Sequence, residues 1–298
     1  MCAQDLREFL RRKQLPSGGW AALSWSSQAS LEGTALAHLA LASNPVQDEA
    51  KNFLLRMQNP NGSWPAFEGD DQEGSWTTSL VLIALRNDLA AILECQKGYE
   101  WLMETTGRES QWPWKWKFRT TDLHVRFDPD KFGWPWIPHA NSWVVPTAFA
   151  ILALNQLPCT CVFNDSERRV DLGIQMLLDR VCPGGGWNAG NGVVYGKPMA
   201  PHPDDTAIAL LALSSLSREP IVSASLDWLE RIASEISAPW SLSWSVLALA
   251  AYGRPVTVLL DNLSRWRNLA EPDDLGALAS TCLAFDYQET LARFGIST

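Results

Sequence analysis

The residues best suited to chemistry in this sequence form a short acidic run that follows a histidine. The run contains His202, Asp204 and Asp205 and leads directly into a small-residue, apolar segment. A carboxylic acid that keeps its proton near neutral pH can protonate a carbon–carbon double bond, and it needs burial or a like charge beside it to do so. Asp205 is such a neighbouring charge, and His202 is placed to hydrogen-bond the acid or to reload its proton. We predict these three residues as the catalytic group.

A helix start explains the same residues without any catalysis. Aspartate after a proline, in the first turn of a helix, is favoured by capping and by the helix macrodipole. Both interpretations of Asp204 and Asp205 remain open from the sequence.

Tryptophan is the second residue type that indicates possible chemistry, because the chain has 16 tryptophans and only 4 tyrosines. Aromatic faces hold cations by cation–π attraction, so a pocket that shelters a carbocation from water would be lined by such rings. The alternative is that the rings are wedges between structural repeats. As substrate contacts we predict Trp25, Trp76, Trp134, Trp143, Trp187 and Trp244.

Other catalytic patterns are incomplete. The run 70–74 has glycine where a D-D-x-x-D magnesium motif needs its last carboxylate, and the four histidines are scattered along the chain. We therefore predict neither a metal nor a cofactor. A carbohydrate-active enzyme is a further alternative, because it would use paired carboxylates across a tryptophan-lined groove. The tryptophan-rich segment offers Asp122, Asp128 and Asp130 for that role.

Six versions of one unit must position these residues. Each has an amphipathic outer segment, a Gly/Trp turn and a small-residue, apolar inner segment. Segments that are apolar on every face must be buried, whereas segments with one polar face must meet water. The pattern predicts an all-α fold, an (α/α)6 toroid of six inner and six outer helices, in one domain over residues 1–298. The inner segments are 33–41, 78–85, 147–154, 206–213, 243–251 and 276–285.

The inner helices should begin at one common end of the toroid, which we call the mouth. Residues just before each helix start are expected to face it, and they are Glu32, Trp76, Val145, Asp204 and Asp274. An insertion at about 108–139 is polar, rich in tryptophan and interrupted by prolines. We predict an irregular functional loop or lid for the insertion, not a helix.

The turns share glutamine, glycine and tryptophan at fixed offsets in 14–20 and 58–64, and the fourth unit keeps the Gly-Gly-Gly-Trp of 184–187. In these turns the sequence resembles the QW-repeat proteins over nearly its whole length: the triterpene cyclases, the class II diterpene cyclases and the β subunits of protein prenyltransferases. The run 202–207 is similar to the Asp-x-Asp-Asp-Thr-Ala motif of class II terpene cyclases, with histidine in the first place. The resemblance implies that Asp204 is the acid and that the reaction is an acid-initiated cyclisation of an isoprenoid or polyene chain.

Such cyclases use two toroids, whereas this chain has one. We therefore expect an apolar cavity closed by a second copy of the chain, by a partner subunit with a second toroid or by the insertion. A prenyltransferase β-subunit-like chain that needs a partner remains an alternative. So does a non-catalytic toroid that binds an isoprenoid or another lipid.

Composition limits the partners and the cellular locations that we expect for this protein. The net charge of −9 and the absence of a basic run argue against a nucleic-acid partner. The six cysteines form no C-x-x-C pair and are too sparse for a disulfide scaffold, which is typical of reduced thiols. The sequence has neither the apolar stretch of a signal peptide nor that of a membrane span. We expect a cytoplasmic protein, with contact at a membrane surface left open.

Overall fold

The computed structural model describes residues 3–41, 46–70, 72–121, 124, 126–157, 163, 165–266 and 272–296. None of the helices in these ranges is long and apolar enough to cross a membrane. Four two-residue strands form two antiparallel pairs, β1 (Trp20–Ala21) with β2 (Ala29–Ser30) and β3 (Val193–Val194) with β4 (Lys197–Pro198). The helices are α1 (Ala3–Arg12), α2 (Leu31–Ala40), α3 (Val46–Arg56), α4 (Thr77–Leu85), α5 (Ile92–Glu104), α6 (Trp112–Thr120), α7 (Val144–Leu154), α8 (Ser166–Asp179), α9 (Pro203–Ala212), α10 (Pro220–Ile232), α11 (Pro239–Ala251), α12 (Thr257–Trp266), α13 (Leu275–Phe285) and α14 (Tyr287–Arg293).

Six helices form a closed inner ring. The helix α2 packs against α4, then α7, α9, α11 and α13 follow in order, and α13 packs back against α2. An outer helix covers each of them: α3 lies on α2, α5 on α4, α8 on α7, α10 on α9, α12 on α11 and α1 on α13. The predicted (α/α)6 toroid is confirmed, because the apolar segments form the inner ring and the amphipathic ones form the outer ring.

Burial follows the two sequence patterns. Every residue of inner helix α7 is buried, which its apolar and small side chains permit. Outer helix α8 buries only one stripe, consisting of Arg169, Gly173, Met176 and Leu177. This i, i+4, i+7, i+8 spacing is that of one helix face, so the rest of α8 is left for solvent.

A tryptophan wedge joins outer and inner helices in four of the repeats. Its indole Nε1–H donates to a backbone carbonyl of the preceding outer helix at 2.7–2.8 Å. Its backbone N–H donates to a threonine hydroxyl of the following inner helix at 2.8–2.9 Å. Each wedge therefore satisfies two buried donors. The Trp/Thr pairs are Trp20/Thr34, Trp64/Thr78, Trp134/Thr147 and Trp187/Thr206.

The glycines of these turns permit a close approach to the next repeat. Gly18 and Gly62 have φ near +90°, a left-handed conformation that side chains other than glycine disfavour. A Cβ on Gly62 would lie 2.5 Å from the carbonyl oxygen of Lys97, on the next outer helix. The amide Nε2 of Gln58 donates both to the Gly62 carbonyl (2.8 Å) and to the Glu94 carbonyl (2.7 Å). The Gln-Gly-Trp signature is thus a structural fastening between consecutive units.

Replacing Thr206 by valine is expected to lower the free energy of unfolding by about 1–3 kcal/mol, because the buried N–H of Trp187 loses its acceptor while the side-chain shape is kept. Urea unfolding followed by tryptophan fluorescence measures the change. Thr206→Ser, which keeps the hydroxyl, is the matched control. A loss in Thr206→Ser with no loss in Thr206→Val would show that the methyl group, and not the hydrogen bond, carries the effect.

The insertion differs from its prediction, because it contains the nine-residue helix α6. Proline at position 113 does not prevent this helix, since it lies in the first turn, where no intrahelical N–H bond is lost. Ion pairs then hold the helix to the following loop: Asp130 accepts from Lys115 at 3.0 Å and also pairs with Arg119.

A buried charge cluster fixes the base of the insertion. Glu109 is fully buried, and its carboxylate accepts the backbone N–H of Ser142 at 3.1–3.2 Å. Arg180 from the end of α8 lies 3.6 Å from the same carboxylate. The guanidinium of Arg169 stacks 3.4 Å above the ring of Trp134 and donates to two backbone carbonyls. Burial lowers the pKa of Arg169 to about 9, and the charge of Glu109 opposes that shift.

Candidate functional site

The mouth of the toroid is a rigid rim. The first residues of inner helices donate their backbone N–H to the loop of a neighbouring unit, as in Leu31 to Ala66 (3.0 Å) and Leu275 to Ala22 (3.0 Å). These bonds satisfy donors that a helix start otherwise leaves unpaired. Side chains at the helix starts are therefore held by the loops of adjacent repeats.

A cavity of about 270 Å³ opens at the mouth, where α2, α11 and α13 begin. It joins the first repeat to the last two, at the point where the ring closes. Its volume is slightly below the range of about 300–1,000 Å³ typical of small-molecule sites, which suits one small ring. The lining residues are Ala22, Leu23, Ser30, Glu32, Gly33, Trp240, Asp274 and Gly276.

Glu32 is the proton-holding group of this cavity. It lies in the first turn of α2 and is only partly exposed. Desolvation by burial, together with the smaller effect of the negative charge of Asp274, raises its pKa from 4.5 to about 7. A carboxyl group with this pKa is still half protonated at neutral pH and can act as a general acid.

Asp274 is the second carboxylate and is held in a defined orientation. It is the N-cap of α13, and its Oδ1 accepts the backbone N–H of Ala277 at 2.8 Å. The backbone at Asp274 also forms an antiparallel bridge with Leu23. Its neighbour Asp273 accepts from the hydroxyl of Ser24 at 2.8 Å. The cap therefore fixes one oxygen of Asp274, while the residue itself stays exposed at the mouth.

These residues form an acid/base arrangement. The carboxyl groups of Glu32 and Asp274 and the indole of Trp240 line the same small cavity. Pairs of carboxyl groups whose environments separate their protonation are the usual basis for a division into acid and base. Among the described residues, no group of three His, Cys, Asp or Glu side chains could hold a metal ion.

The predicted catalytic trio occupies the first turn of α9, at another part of the mouth. His202 Nδ1 lies 2.9 Å from Asp205 Oδ2. Burial raises the pKa of Asp205 to about 6, against the lowering effect of the His202 hydrogen bond, and the charge of Asp204 adds to the rise. Asp204 is half-buried and accepts from the Ser241 hydroxyl at 3.4 Å. The raised pKa thus belongs to Asp205, which was predicted to tune the acid, and the catalytic role of the trio stays a prediction.

The six predicted substrate tryptophans fall into two groups. Trp134 and Trp187 are buried wedges whose indole N–H groups are bonded to outer helices, and Trp244 is buried in the interior. A molecule at the mouth does not reach these three rings. Trp76 is half-buried, whereas Trp143 and Trp25 are exposed at the mouth.

Aromatic rings fill the interior of the inner ring. Phe149 of α7 contacts Trp244 of α11 at a centroid distance of 5.4 Å, although these helices are not neighbours in the ring. Trp76 packs on Phe149 from the mouth side at 5.4 Å, and Phe294 packs on Trp244 at 6.0 Å. These rings therefore pack against one another across the interior of the inner ring.

Two of the insertion carboxylates that a carbohydrate-active site was expected to use, Asp128 and Asp130, are engaged in ion pairs. Asp130 is bound to Lys115 and Arg119, and hydrogen bonding to Lys115 lowers its pKa. Asp128 pairs with Lys131 at 3.8 Å. Asp122 lies outside the described residues. Glu32 and Asp274, which share the mouth cavity, were predicted to face the mouth but were given no chemical role.

The fold and its mouth cavity define an acidic α/α toroid, and comparisons with known proteins agree on the fold. No protein-family model and no curated protein matches the sequence. Among solved structures, an α-amylase from Clostridium perfringens covers 96% of this chain and 98% of its own at 11% identity, with a TM-score of 0.70. An inactive variant of the α-1,6-mannanase GH76A of Salegentibacter sp. HEL1_6 covers 97% of this chain and 98% of its own at 11% identity, with a TM-score of 0.62. Endoglucanase Cel10 from Klebsiella pneumoniae, a family 8 glycosyl hydrolase, covers 96% of this chain and 99% of its own at 13% identity, with a TM-score of 0.60.

The resemblance to terpene cyclases is therefore corrected. The three similar structures are named as an α-amylase, a mannanase and an endoglucanase, and they do not support a QW-repeat cyclase, its cyclisation reaction or a place in isoprenoid biosynthesis. The physical reason for the error is that the Gln-Gly-Trp turns fasten one helical repeat to the next. These contacts between consecutive units are typical of how the toroid is built, and they carry no information about the reaction at its mouth.

Proposed function

We propose that this protein is a carbohydrate-active enzyme that hydrolyses glycosidic bonds by general acid/base catalysis in the cavity of Glu32 and Asp274. The observation that carries the proposal is the mouth cavity that Glu32 and Asp274 line together. The raised pKa of Glu32, about 7 through burial and the charge of Asp274, supports the role of acid. The glycosidase names of the similar folds support the same class of reaction.

The proposed reaction uses one group for each proton transfer. Glu32 donates its proton to the glycosidic oxygen, and the bond between that oxygen and the anomeric carbon breaks. Water adds to the anomeric carbon, and Asp274 accepts the proton that the water releases. The Oδ1 atom of Asp274 already accepts the backbone N–H of Ala277, so we assign the water to Oδ2. The indole of Trp240 is the apolar surface on which the sugar ring lies.

The test is the release of reducing sugar from a panel of α- and β-linked glucans, mannans and xylans and from the matching aryl glycosides. We expect hydrolysis of at least one linkage, with a bell-shaped pH profile whose alkaline limb lies near pH 7. A folded protein that cleaves none of these substrates while binding them would be a binding module and would overturn the proposal.

Replacing Asp274 by asparagine is expected to move the alkaline limb of kcat/KM to lower pH, in addition to lowering the rate. The negative charge of Asp274 contributes to the raised pKa of Glu32, so its removal lets Glu32 ionise at lower pH. Burial is the larger cause and remains, so the shift should be less than about one pH unit. The matched control is Asp273→Asn at the adjacent exposed aspartate. An alkaline limb at the same pH in Asp274→Asn and in the wild type would show that the ionisation of Glu32 does not cause that limb.

A further inference from the structure

Two loops that are bonded to each other form one side of the mouth cavity. Ser30, which lines the cavity, pairs with Phe67 in an antiparallel bridge, so their α-carbons lie about 5 Å apart. The backbone N–H of Glu68 donates to the Ala29 carbonyl at 2.9 Å, and Gln28 Nε2 donates to the Glu68 carbonyl at 2.9 Å. The border of the cavity therefore has a fixed backbone. It consists of three segments, which together we call the lip: 22–30, 66–70 and 273–274.

Exposed aromatic rings lie on this lip. Phe67 is 39% exposed, and Trp25, two residues beyond Leu23 of the cavity wall, is 74% exposed. The cavity of about 270 Å³ holds one sugar ring, whereas a glycosidic bond joins two. The second ring of a substrate that is cleaved there lies outside the cavity, on its border. Phe67 and Trp25 present flat apolar faces to such a ring.

The lip and the cavity are acidic throughout. Their charged side chains are all carboxylates: Glu32, Glu68, Asp70, Asp273 and Asp274. In the part of the chain that the structure describes, none of these five forms an ion pair with lysine, arginine or histidine. The site therefore has an uncompensated negative charge, which repels anionic ligands and attracts cationic ones.

The basic residues near the ends of the adjoining outer helices are engaged elsewhere. Lys13, which follows α1, lies 5.0 Å from the centre of the Phe9 ring. Arg56, the last residue of α3, donates to the Ser17 carbonyl at 2.8 Å. Neither basic group is paired with a carboxylate of the lip, so they leave its charge uncompensated.

From this geometry we infer that the cavity and its lip bind a chain of amino sugars with free amino groups. The protonated amino groups of successive rings meet the carboxylates, and the C–H faces of the ring outside the cavity lie on Phe67 and Trp25. Aromatic faces also attract the ammonium groups directly. The inference rests on the proposed function, because the bond that Glu32 and Asp274 would cleave joins the ring in the cavity to the ring on the lip.

Isothermal titration calorimetry with three β-1,4-linked tetrasaccharides tests this ligand class. One is built of glucosamine, one of N-acetylglucosamine and one of glucose, so that only the first is cationic at pH 6. The Glu32→Gln protein is used, because it keeps the ligands intact. We expect the glucosamine tetrasaccharide to have a Kd about tenfold or more below that of either neutral ligand. This preference should fall as sodium chloride is raised from about 50 to about 500 mM, because salt screens the charges.

Three variants assign the preference to the lip. Glu68→Gln/Asp70→Asn removes two carboxylates from the lip and should lower the preference for glucosamine by about threefold or more. The matched control, Glu167→Gln/Asp171→Asn, removes two exposed carboxylates from outer helix α8 and should leave the preference unchanged. Phe67→Ala should raise the Kd of all three ligands by about threefold or more, because each loses the same aromatic face.

Equal or weaker binding of the glucosamine tetrasaccharide would overturn the inference, as would a preference that both double variants lower equally. A wild type that cleaves a neutral glucan without preferring amino sugars keeps the proposed function and loses only this inference. A preference that depends on the lip, in a protein that cleaves nothing, would overturn only the hydrolytic function.

The wild type gives the same comparison if Glu32→Gln does not fold. An active wild type is compared through the inhibition of aryl-glycoside hydrolysis by each tetrasaccharide. An inactive wild type leaves the ligands intact and is titrated directly. In both cases the ratio of the binding constants for glucosamine and glucose supports or overturns the inference as above.

Discussion

Replacing Glu32 by glutamine is expected to lower kcat/KM by about 10²- to 10⁴-fold, the range in which positioned general acids contribute. Glutamine keeps the size of the side chain but has no proton to donate to the leaving oxygen. The measurement is sugar release at pH 6, where most of the Glu32 side chains of the wild type are protonated, given a pKa of about 7. The loss should be smaller on aryl glycosides with acidic leaving groups, because their departure needs less protonation.

The same variant has a second readout that does not depend on a substrate. The native state holds the Glu32 proton up to about pH 7, whereas an unfolded glutamate releases it near 4.5. The native state therefore binds more protons between these values, and the contribution of Glu32 to stability falls as pH rises through that window. Allowing for its partial exposure, Glu32→Gln should stabilise the fold by about 2 kcal/mol at pH 8 and by little at pH 4. A variant with full activity, or with no gain in stability at pH 8, would contradict the assignment of the acid.

Replacing Glu109 by glutamine is expected to lower the free energy of unfolding by about 3–5 kcal/mol, the usual cost of breaking a buried ion pair from one side. Glu109 is fully buried and is the counter-charge for the buried guanidinium of Arg180, while its charge also acts on Arg169. Without it, the two buried cations lose their shared buried anion, and Arg180 keeps only the more exposed carboxylate of Asp179 at 3.7 Å. Urea denaturation at pH 7 gives the magnitude.

The exposed neighbour Glu104 provides the control for that measurement. Glu104→Gln removes the same charge at the end of α5 and should change stability by no more than about 0.5 kcal/mol. Adding Arg180→Met to Glu109→Gln should recover part of the loss, since one of the two unbalanced charges is then absent. A loss below about 1 kcal/mol in Glu109→Gln would show that the cluster is solvated and does not fix the insertion.

The fold followed from the sequence because its determinants are local. An inner segment such as 147–154 is apolar on every face, and an outer segment such as that of α8 has one apolar stripe. Six alternations of these two patterns have one efficient way to bury their apolar surface, which is a double ring. The turns were equally readable, since Gly62 adopts the positive φ that its position requires.

The insertion was less readable from its sequence. Prolines and charges argued against a helix between 108 and 139, but α6 forms there. Its proline lies in the first turn, and its charges are paired with Asp130 from a later part of the loop. Ion pairs between a helix and a later part of a loop cannot be recognised from local periodicity, so the prediction that the insertion has no helix was wrong.

The sequence by itself determined the toroid and the residues that begin its inner helices, Glu32 and Asp274 among them. Only the tertiary structure decided which of these residues lie together. Ring closure brings the first repeat against the last, so that Glu32 and Asp274 share a cavity, and Phe149 meets Trp244 across the interior of the ring. The physical reason is that helical periodicity is fixed within a few residues. The pKa of a carboxyl group, in contrast, depends on the burial and the charges that distant parts of the chain bring to it.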